Sequence, residues 1–399
     1  MNTPGASGTL TYNYPLDGTG VDFVVQDSGC QIDHPEFTDA AGVSRVQQID
    51  WFAASGISGT MPSNFYTDYD GHGTHCCGIA AGKTYGRAKN ARIYVMTVDG
   101  LNVAPTNGIS VTNVFDCIKG WHNNKPVDPA LGYKRPTVVN MSWSYISTFA
   151  NITGGVYRGT PWTGTSKQSS YGMIGNGSNY YGTRISSVDV DVAELIAAGV
   201  VLVGAAGNYY QTIDVSGGLD YDNYYTSSLY GTQYYMRGGS PAAADGVICV
   251  GNVSTIADNP EEKSGSSESG PRVDVWAPGT NIVSTTSTSN QFGATTAYPF
   301  NGSYKIMSIS GTSMASPNVA GLAAQLLQVY PTATPAQIRQ KIIDTSVANM
   351  LYTTGLSTDY SNSRSLHGGP NRYAYQAFNT ASGGNISGAV SVSNTSLGT

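Results

Sequence analysis

The chain has 399 residues, 40% of them apolar and only 12% charged, so it can bury a sizeable core and is not a disordered tail. Its formal charge is −6 and it carries no basic run, which excludes the electrostatic footprint of a nucleic-acid or anionic-membrane binder. No stretch of about 18 apolar residues occurs, so no membrane span is expected.

The first residues, MNTPGASGTLTYNYPLDG, lack a basic region followed by an apolar run and do not read as a secretory signal. They are expected to form an N-terminal arm over 1–17, ahead of a domain over 18–380. The first strand is Val21–Val25. It runs into Asp27, which opens the turn Asp27-Ser28-Gly29. A carboxylate at the carboxyl end of a strand can orient an imidazole; an Asp that merely starts a turn is the plain alternative.

His72 follows in YDGHGTHCCGIAAG, with glycines on both sides that let the backbone turn tightly. His75 stands three residues on, at helical spacing. No HExxH-type carboxylate accompanies the pair, which argues against a metal there. The strands Ile93–Val98 and Thr137–Met141 come next. Ser144–Ser187, rich in Tyr, Gly, Ser and Thr, reads as a long surface loop. Val188–Ala198 is a helix stopped by Gly199, and Val200–Val203 is a strand leading to Asn208. The Asn208 amide could donate to an oxyanion.

Tyr209–Gly239 reads as a second loop. The strands Val247–Val250 and Val273–Trp276 follow, then a third loop over Thr285–Lys305. Ser313–Val329 has helical spacing and stops at Pro331. Ser313 lies where a Gly-containing turn becomes a helix, whose unpaired N–H groups favour negative charge. Thr334–Ile343 begins with a capping Thr and a Pro at the first helical position. From Ala381 the sequence is a Ser/Gly/Asn-rich tail. Continuous apolar strands alternating with helices argue for an α/β fold: a three-layer, doubly wound, mostly parallel sheet with helices on both faces and its site at the carboxyl ends of the strands.

The five cysteines Cys30, Cys76, Cys77, Cys117 and Cys249 leave at least one free thiol, and their spacing fits no CxxC metal pattern. Most are expected to be buried as small apolar residues. One disulfide is possible, and the sequence does not assign its pairing.

Taken together, QDSGCQIDHPEF, DGHGTHCCGIAAGKTYGRAKNARIY, VVNMSWS, AGVVLVGAAGN, VDVWAPG and SISGTSMASPNVAGLAA resemble the subtilisin-like serine proteases, particularly their proteinase K-like branch. The resemblance runs from about Gly18 to about Asn371, and the order Asp, His, Ser is the family's own. It implies a subtilisin-like fold and a serine endopeptidase of broad specificity that takes extended protein or peptide substrates. Ser313 would be the nucleophile, His72 the base and Asp27 its orienting partner. Asn208, with the Ser313 backbone N–H, would form the oxyanion hole. Met141, Ser142, Trp143 and Ser144 would pair with substrate from one side, and Gly108, Ile109 and Ser110 from the other. Where the family has Leu-Gly-Gly after the pocket Ser, this chain has Trp143 and Ser144, so Trp143 is expected to narrow or line the pocket. Cys76 stands where the proteinase K-like branch has a free Cys beneath its catalytic His. A structural Ca²⁺ is implied on the Asp274 carboxylate and the carbonyls of Asp245 and Val247. The resemblance places the mature protein outside the cell. The missing presequence and the loop style also resemble bacteriophage-encoded relatives, so a virion-associated structural or processing protein is the second reading. The oligomeric state is not assigned.

Overall fold

The computed structural model describes residues 14–102, 107–174, 179–254, 261–353 and 362–375. The N-terminal arm lies almost wholly outside these residues, and so does the tail from Ala381.

Six parallel strands form the centre: β1 (Asp22–Asp27), β2 (Arg92–Thr97), β3 (Thr137–Met141), β4 (Val201–Ala205), β5 (Ile248–Ser254) and β6 (Val275–Pro278). Their order is β6-β5-β4-β3-β1-β2, and every adjacent pair is parallel. Short strands at Val347–Ala348, Arg372–Tyr373 and Glu262–Lys263 complete the sheet. Each sequence-predicted strand is present, displaced by no more than a few residues.

Among the described residues the longer helices on the sheet are α1 (His72–Ala81), α2 (Val111–Asn124), α3 (Ser186–Ala197), α4 (Thr312–Val329) and α5 (Pro335–Thr345), and a short helical turn at Trp51–Ser55 lies beside α2. Side-chain alternation along the strands builds two cores. Phe23 and Val25 of β1 pack with Cys76 and Ile79 of α1 and with Val319 and Leu322 of α4. Val24, one residue out of phase, packs on the other face with Phe115 and Ile118 of α2 and Val192 and Leu195 of α3. Strands buried on both faces must be apolar throughout, which is why they read as unbroken runs. α5 carries the expected cap: the Thr334 hydroxyl accepts from Gln337 N, and the Gln337 amide accepts from Thr334 N.

The sequence reading did not assign α1 and α2. Nine of the ten residues of α1 are buried, so it has no polar face to reveal its period. In α2 the stripe of Val114, Phe115, Ile118 and Trp121 is the usual signal of a half-buried helix.

The three insertions are corrections to the loop reading. Ile152–Tyr157, Thr160–Thr163, Tyr224–Ser227 and Gly231–Tyr234 form one antiparallel sheet, so the first two insertions fold against each other. They enclose a separate aromatic core of Phe149, Trp162, Tyr181, Tyr225 and Tyr235. Tyrosine supplies the apolar bulk, and its hydroxyl is satisfied where it is buried: Tyr225 donates to the Thr148 carbonyl (3.0 Å) and Tyr235 to the Tyr171 carbonyl (2.7 Å). Arg158 clamps the two segments through a two-point pair with Asp220 (2.7 and 2.8 Å). The third insertion lies in a smaller antiparallel sheet of Ile282–Thr286, Thr296–Tyr298 and Asn301–Ile309. Pairing partners about 70 residues apart in sequence leave no local signature, and Gly- and Tyr-rich strands lack the β-branched runs that mark the central sheet.

All five cysteines are buried free thiols, so no disulfide forms among them. Among the described residues, no helix is long and apolar enough to cross a membrane.

Candidate active site

The sheet order reverses between β1 and β3. In such sheets the crevice at the carboxyl ends beside the reversal is where ligands bind. Asp27 is the last residue of β1, and β3 runs directly into Ser142, so the chain delivers both to this crevice.

Asp27 is 2% exposed. Its Oδ1 lies 2.8 Å from His72 Nδ1 and accepts a second bond from Ser28 N (2.7 Å). Two donors on one oxygen fix the carboxylate in the plane that the imidazole needs. His72 opens α1. Its helix has no side-chain cap on Gly71; buried Asp68, three residues earlier, does that work instead. Asp68 accepts from Gly71 N (2.8 Å) and Ser28 Oγ (2.9 Å) with one oxygen, and from Thr74 N (2.9 Å) and Thr74 Oγ1 (2.6 Å) with the other. It therefore ties the Asp27 turn to the His72 helix. Gly73 permits the approach, since a Cβ there would stand 2.2 Å from the Gly29 carbonyl oxygen.

Burial pulls the His72 pKa down. The Asp27 carboxylate beside it outweighs that, and the imidazole keeps its proton well above the ordinary histidine range. Phe292, from the third insertion, stacks on the ring (centroids 5.8 Å apart). His75 is a different kind of residue. Its Nε2 lies 3.1 Å from the Ile282 carbonyl and 3.2 Å from that of Met307, and burial pushes its pKa down to about 4. It pins α1 to the small sheet that carries Phe292 and is structural.

Ser313 is the second residue of α4, half-buried at the helix N-terminus. Its hydroxyl donates to the Ser142 carbonyl (3.1 Å). Cys76 joins it to His72: the thiol donates to the Ser313 carbonyl (3.3 Å) and lies 3.8 Å from His72 Nδ1. A chain of side chains locks β3 to α4. Ser316 donates to Asn140 Oδ1 (2.7 Å), Asn140 Nδ2 to Ser142 Oγ (2.9 Å), and Ser142 Oγ to the Ser313 carbonyl (2.9 Å). Asn208 follows β4. Its Oδ1 accepts from Thr312 N (2.9 Å) and Thr312 Oγ1 (3.0 Å), which leaves the exposed amide nitrogen as the outward donor. An imidazole backed by a carboxylate, a serine at a helix N-terminus and an amide donor at one crevice form a set able to carry out acyl transfer.

The expected pocket segments sit on the same rim. Ile109 N donates to the Thr97 carbonyl (2.8 Å) and Asp99 N to the Ile109 carbonyl (2.9 Å), which holds 108–110 at the end of β2. Gly108 is half-buried, Ile109 is buried, and exposed Ser110 caps α2. Met141 is buried in the core beneath α2 and α3. Ser144 pairs with Pro241, and Tyr145 N donates to the Ser240 carbonyl (2.8 Å). The Trp143 ring turns toward α2, where it packs beside Phe115 (6.4 Å) and Tyr145 (5.9 Å). Asp68, Phe292, Thr312 and Ser316 were not singled out from the sequence. Thr312 and Ser316 flank Ser313 in its motif, whereas nothing local marks Phe292, 220 residues from His72.

The residues expected to hold Ca²⁺ do not fit one. The Arg272 guanidinium takes the cation's place. It donates to the carbonyls of Ala243 (3.1 Å), Ala244 (2.7 Å) and Val247 (2.8 Å) and to Asp274 Oδ2 (3.1 Å). Arg339 pairs with both Asp274 oxygens, and Cys249 N donates to Oδ2 (2.9 Å). Asp274 is thus fully engaged by fixed donors, and the Val247 carbonyl points at a positive charge. Asp245 is exposed. A divalent ion at Asp274 would have to displace a guanidinium that is 4% exposed.

Comparison with known proteins agrees with this architecture. The model of the Subtilase family matches residues 18–383. An extracellular serine proteinase of Thermus sp. (strain Rt41A) is 28% identical over 344 residues, covering 86% of this chain and 59% of its own length. A cuticle-degrading protease of Metarhizium anisopliae is 30% identical over 348 residues, covering 87% of this chain and 64% of its own length. The chain therefore spans somewhat under two thirds of these relatives. Among solved structures, a cold-adapted subtilisin-like serine proteinase matches in fold with a TM-score of 0.58 at 23% identity, over 94% of this chain and 96% of that one.

Proposed function

Since this chain belongs to the subtilase family, we propose that it is a serine endopeptidase that cleaves extended protein or peptide substrates, acting outside the cell. The observation that carries this reading is the 2.8 Å Asp27–His72 contact beside Ser313 at the sheet's reversal point.

In this mechanism the Ser313 hydroxyl swings from the Ser142 carbonyl toward the imidazole. Oγ attacks the scissile carbonyl carbon while His72 accepts the Oγ proton. Asp27 keeps Nδ1 protonated and stabilises the imidazolium. The oxygen of the tetrahedral intermediate accepts from Asn208 Nδ2 and the Ser313 backbone N–H. His72 then gives its proton to the leaving amine, which departs with the C–N bond. Water, deprotonated by His72, releases the acyl group and restores Ser313. Ser142–Ser144 and 108–110 offer main-chain edges to an extended peptide.

A fluorophosphonate probe should label the native chain and fail on Ser313→Ala, and a peptide library should be cleaved in parallel. A well-folded chain that is neither labelled nor active would overturn the reading. Asn208→Ala should lower kcat roughly 10²- to 10³-fold with KM little changed, because the amide meets charge that exists only in the transition state. An unchanged kcat would remove Asn208 from the oxyanion site.

The pH dependence has a definite sign. His72 must be neutral to act as a base, and Asp27 holds its proton on to higher pH than usual. Activity in kcat/KM should therefore rise with pH through an apparent pKa above the ordinary histidine value. A limb at or below that value would contradict the coupling to Asp27.

A further inference from the structure

Behind Asn208 lies a buried acid that the mechanism does not use. Glu268 is 1% exposed, and among the described residues neither of its carboxyl oxygens has a hydrogen-bond partner. Its carboxyl packs flat on Gly207: a Cβ on that glycine, whose φ is +122°, would stand 2.4 Å from Glu268 Cδ. The backbone around it is laced to the Asn208 loop. Glu268 N donates to the Gly207 carbonyl (2.9 Å), Tyr210 N to the Ser266 carbonyl (2.9 Å), Ser269 N to the Gln211 carbonyl (3.1 Å) and Ile213 N to the Ser269 carbonyl (2.7 Å). Thus the segment 266–269 splints the loop that carries the oxyanion donor, with the acid at its centre.

We propose that Glu268 is a positioning residue for the Asn208 loop, holding Gly207–Asn208 in place as a neutral acid, and that its ionisation sets an alkaline limit on acyl transfer. This rests on the peptidase reading above. A buried carboxylate that no protein donor reaches is costly at this depth, so the acid keeps its proton. Burial pushes Glu268 up to about 8 and pushes Lys263, itself 1% exposed, down to about 7. Lys263 Nζ donates to the Ser264 carbonyl (2.9 Å) and sits over the Tyr210 ring (4.7 Å), and no ion pair joins it to Glu268. The other titratable groups around the acid do not compensate it. Tyr209 and Cys249 are themselves raised, first by burial, and Glu262 pairs with Arg364. His367 Nδ1 is engaged with Ser269 Oγ (2.7 Å). When Lys263 has lost its charge and Glu268 then ionises, one negative charge remains beneath a site built to receive an oxyanion. It repels that oxyanion and strains the splint.

The test follows kcat and KM from pH 6 to 10 in native, Glu268→Gln and Glu268→Ala proteins. Native kcat should fall about tenfold per pH unit above the ionisation, with KM steady. Glu268→Gln, which keeps the shape of the neutral acid, should lose that limb. Glu268→Ala should lower kcat throughout, because the splint is gone. Two readouts do not depend on turnover. The infrared carbonyl band of a protonated acid should be present at pH 7 and absent in Glu268→Gln. The Asn208 side-chain amide resonance should titrate in native protein and not in that variant. Identical alkaline profiles for native and Glu268→Gln, or an Asn208 resonance indifferent to the substitution, overturn the proposal. Should fluorophosphonate labelling fail altogether, the peptidase reading falls, while the infrared and resonance readouts still decide the state of Glu268.

Discussion

A Ser313→Ala chain is expected to lose roughly 10⁶-fold in kcat, the loss found when a triad serine of the subtilisin class is removed. The hydroxyl is the only group at the crevice that the proposed mechanism can join to the acyl carbon. Removing it leaves Asn208, the helix N-terminus and the binding edges, which together retain about 10³-fold over uncatalysed hydrolysis. Folding should barely respond. The hydroxyl makes one hydrogen bond, to the Ser142 carbonyl, and Ser142 keeps its own bond to the Ser313 carbonyl. About 1 kcal/mol is at stake. Because Ser313 and His72 act as one unit, adding His72→Ala to Ser313→Ala should cost little more. Steady-state kinetics beside a thermal melt decide the matter. Activity within tenfold of native would end the nucleophile assignment, and a melt showing the variant unfolded would contradict the small folding cost.

The second large effect is on stability. Arg272→Ala should destabilise the fold by about 3–5 kcal/mol, the range for stripping one partner from a buried ion pair. For a chain of this length that is a fall in Tm of roughly 5 °C. The variant orphans the carbonyls of Ala243, Ala244 and Val247 and leaves Asp274 to Arg339, whose side chain is 35% exposed. Arg272→Met, which keeps the stem and loses the donors, should be nearly as damaging, so the effect is polar rather than volumetric. Asp274→Asn separates the guanidinium from a metal. It should lower Tm equally in calcium and in chelator, whereas a loss confined to calcium would restore the ion to this position.

Most of the parallel sheet was legible, because strands buried on both faces must be apolar along their whole length and say so locally. α4 and α5 were legible through their spacing and the Thr334-Pro335 start. The insertions were not, since tyrosine and glycine can line a loop or a small core equally well. At Trp143 the sequence supplies the residue and its place after Ser142, and the packed position of α2 directs its ring to Phe115. The Ca²⁺ expectation failed for a related reason. Asp274 and Val247 matched by position, but the sequence does not say which cation meets them, and here the guanidinium of Arg272, 25 residues beyond Val247, does.

What the sequence determined by itself is what short stretches of chain can encode. That comprises the α/β class, the Asp27, His72 and Ser313 motifs and their order, and the placement of Asn208 after a buried strand. The tertiary structure decided everything that depends on distant segments meeting. It brought the Asp27 turn to the His72 helix through Asp68, and Phe292 onto the His72 ring. It gave Arg272 the place of a metal and buried Glu268 without a partner under Gly207. Local sequence sets backbone preference and periodicity. The dielectric around a charge, and the donors within 3 Å of it, are set only when the chain closes on itself.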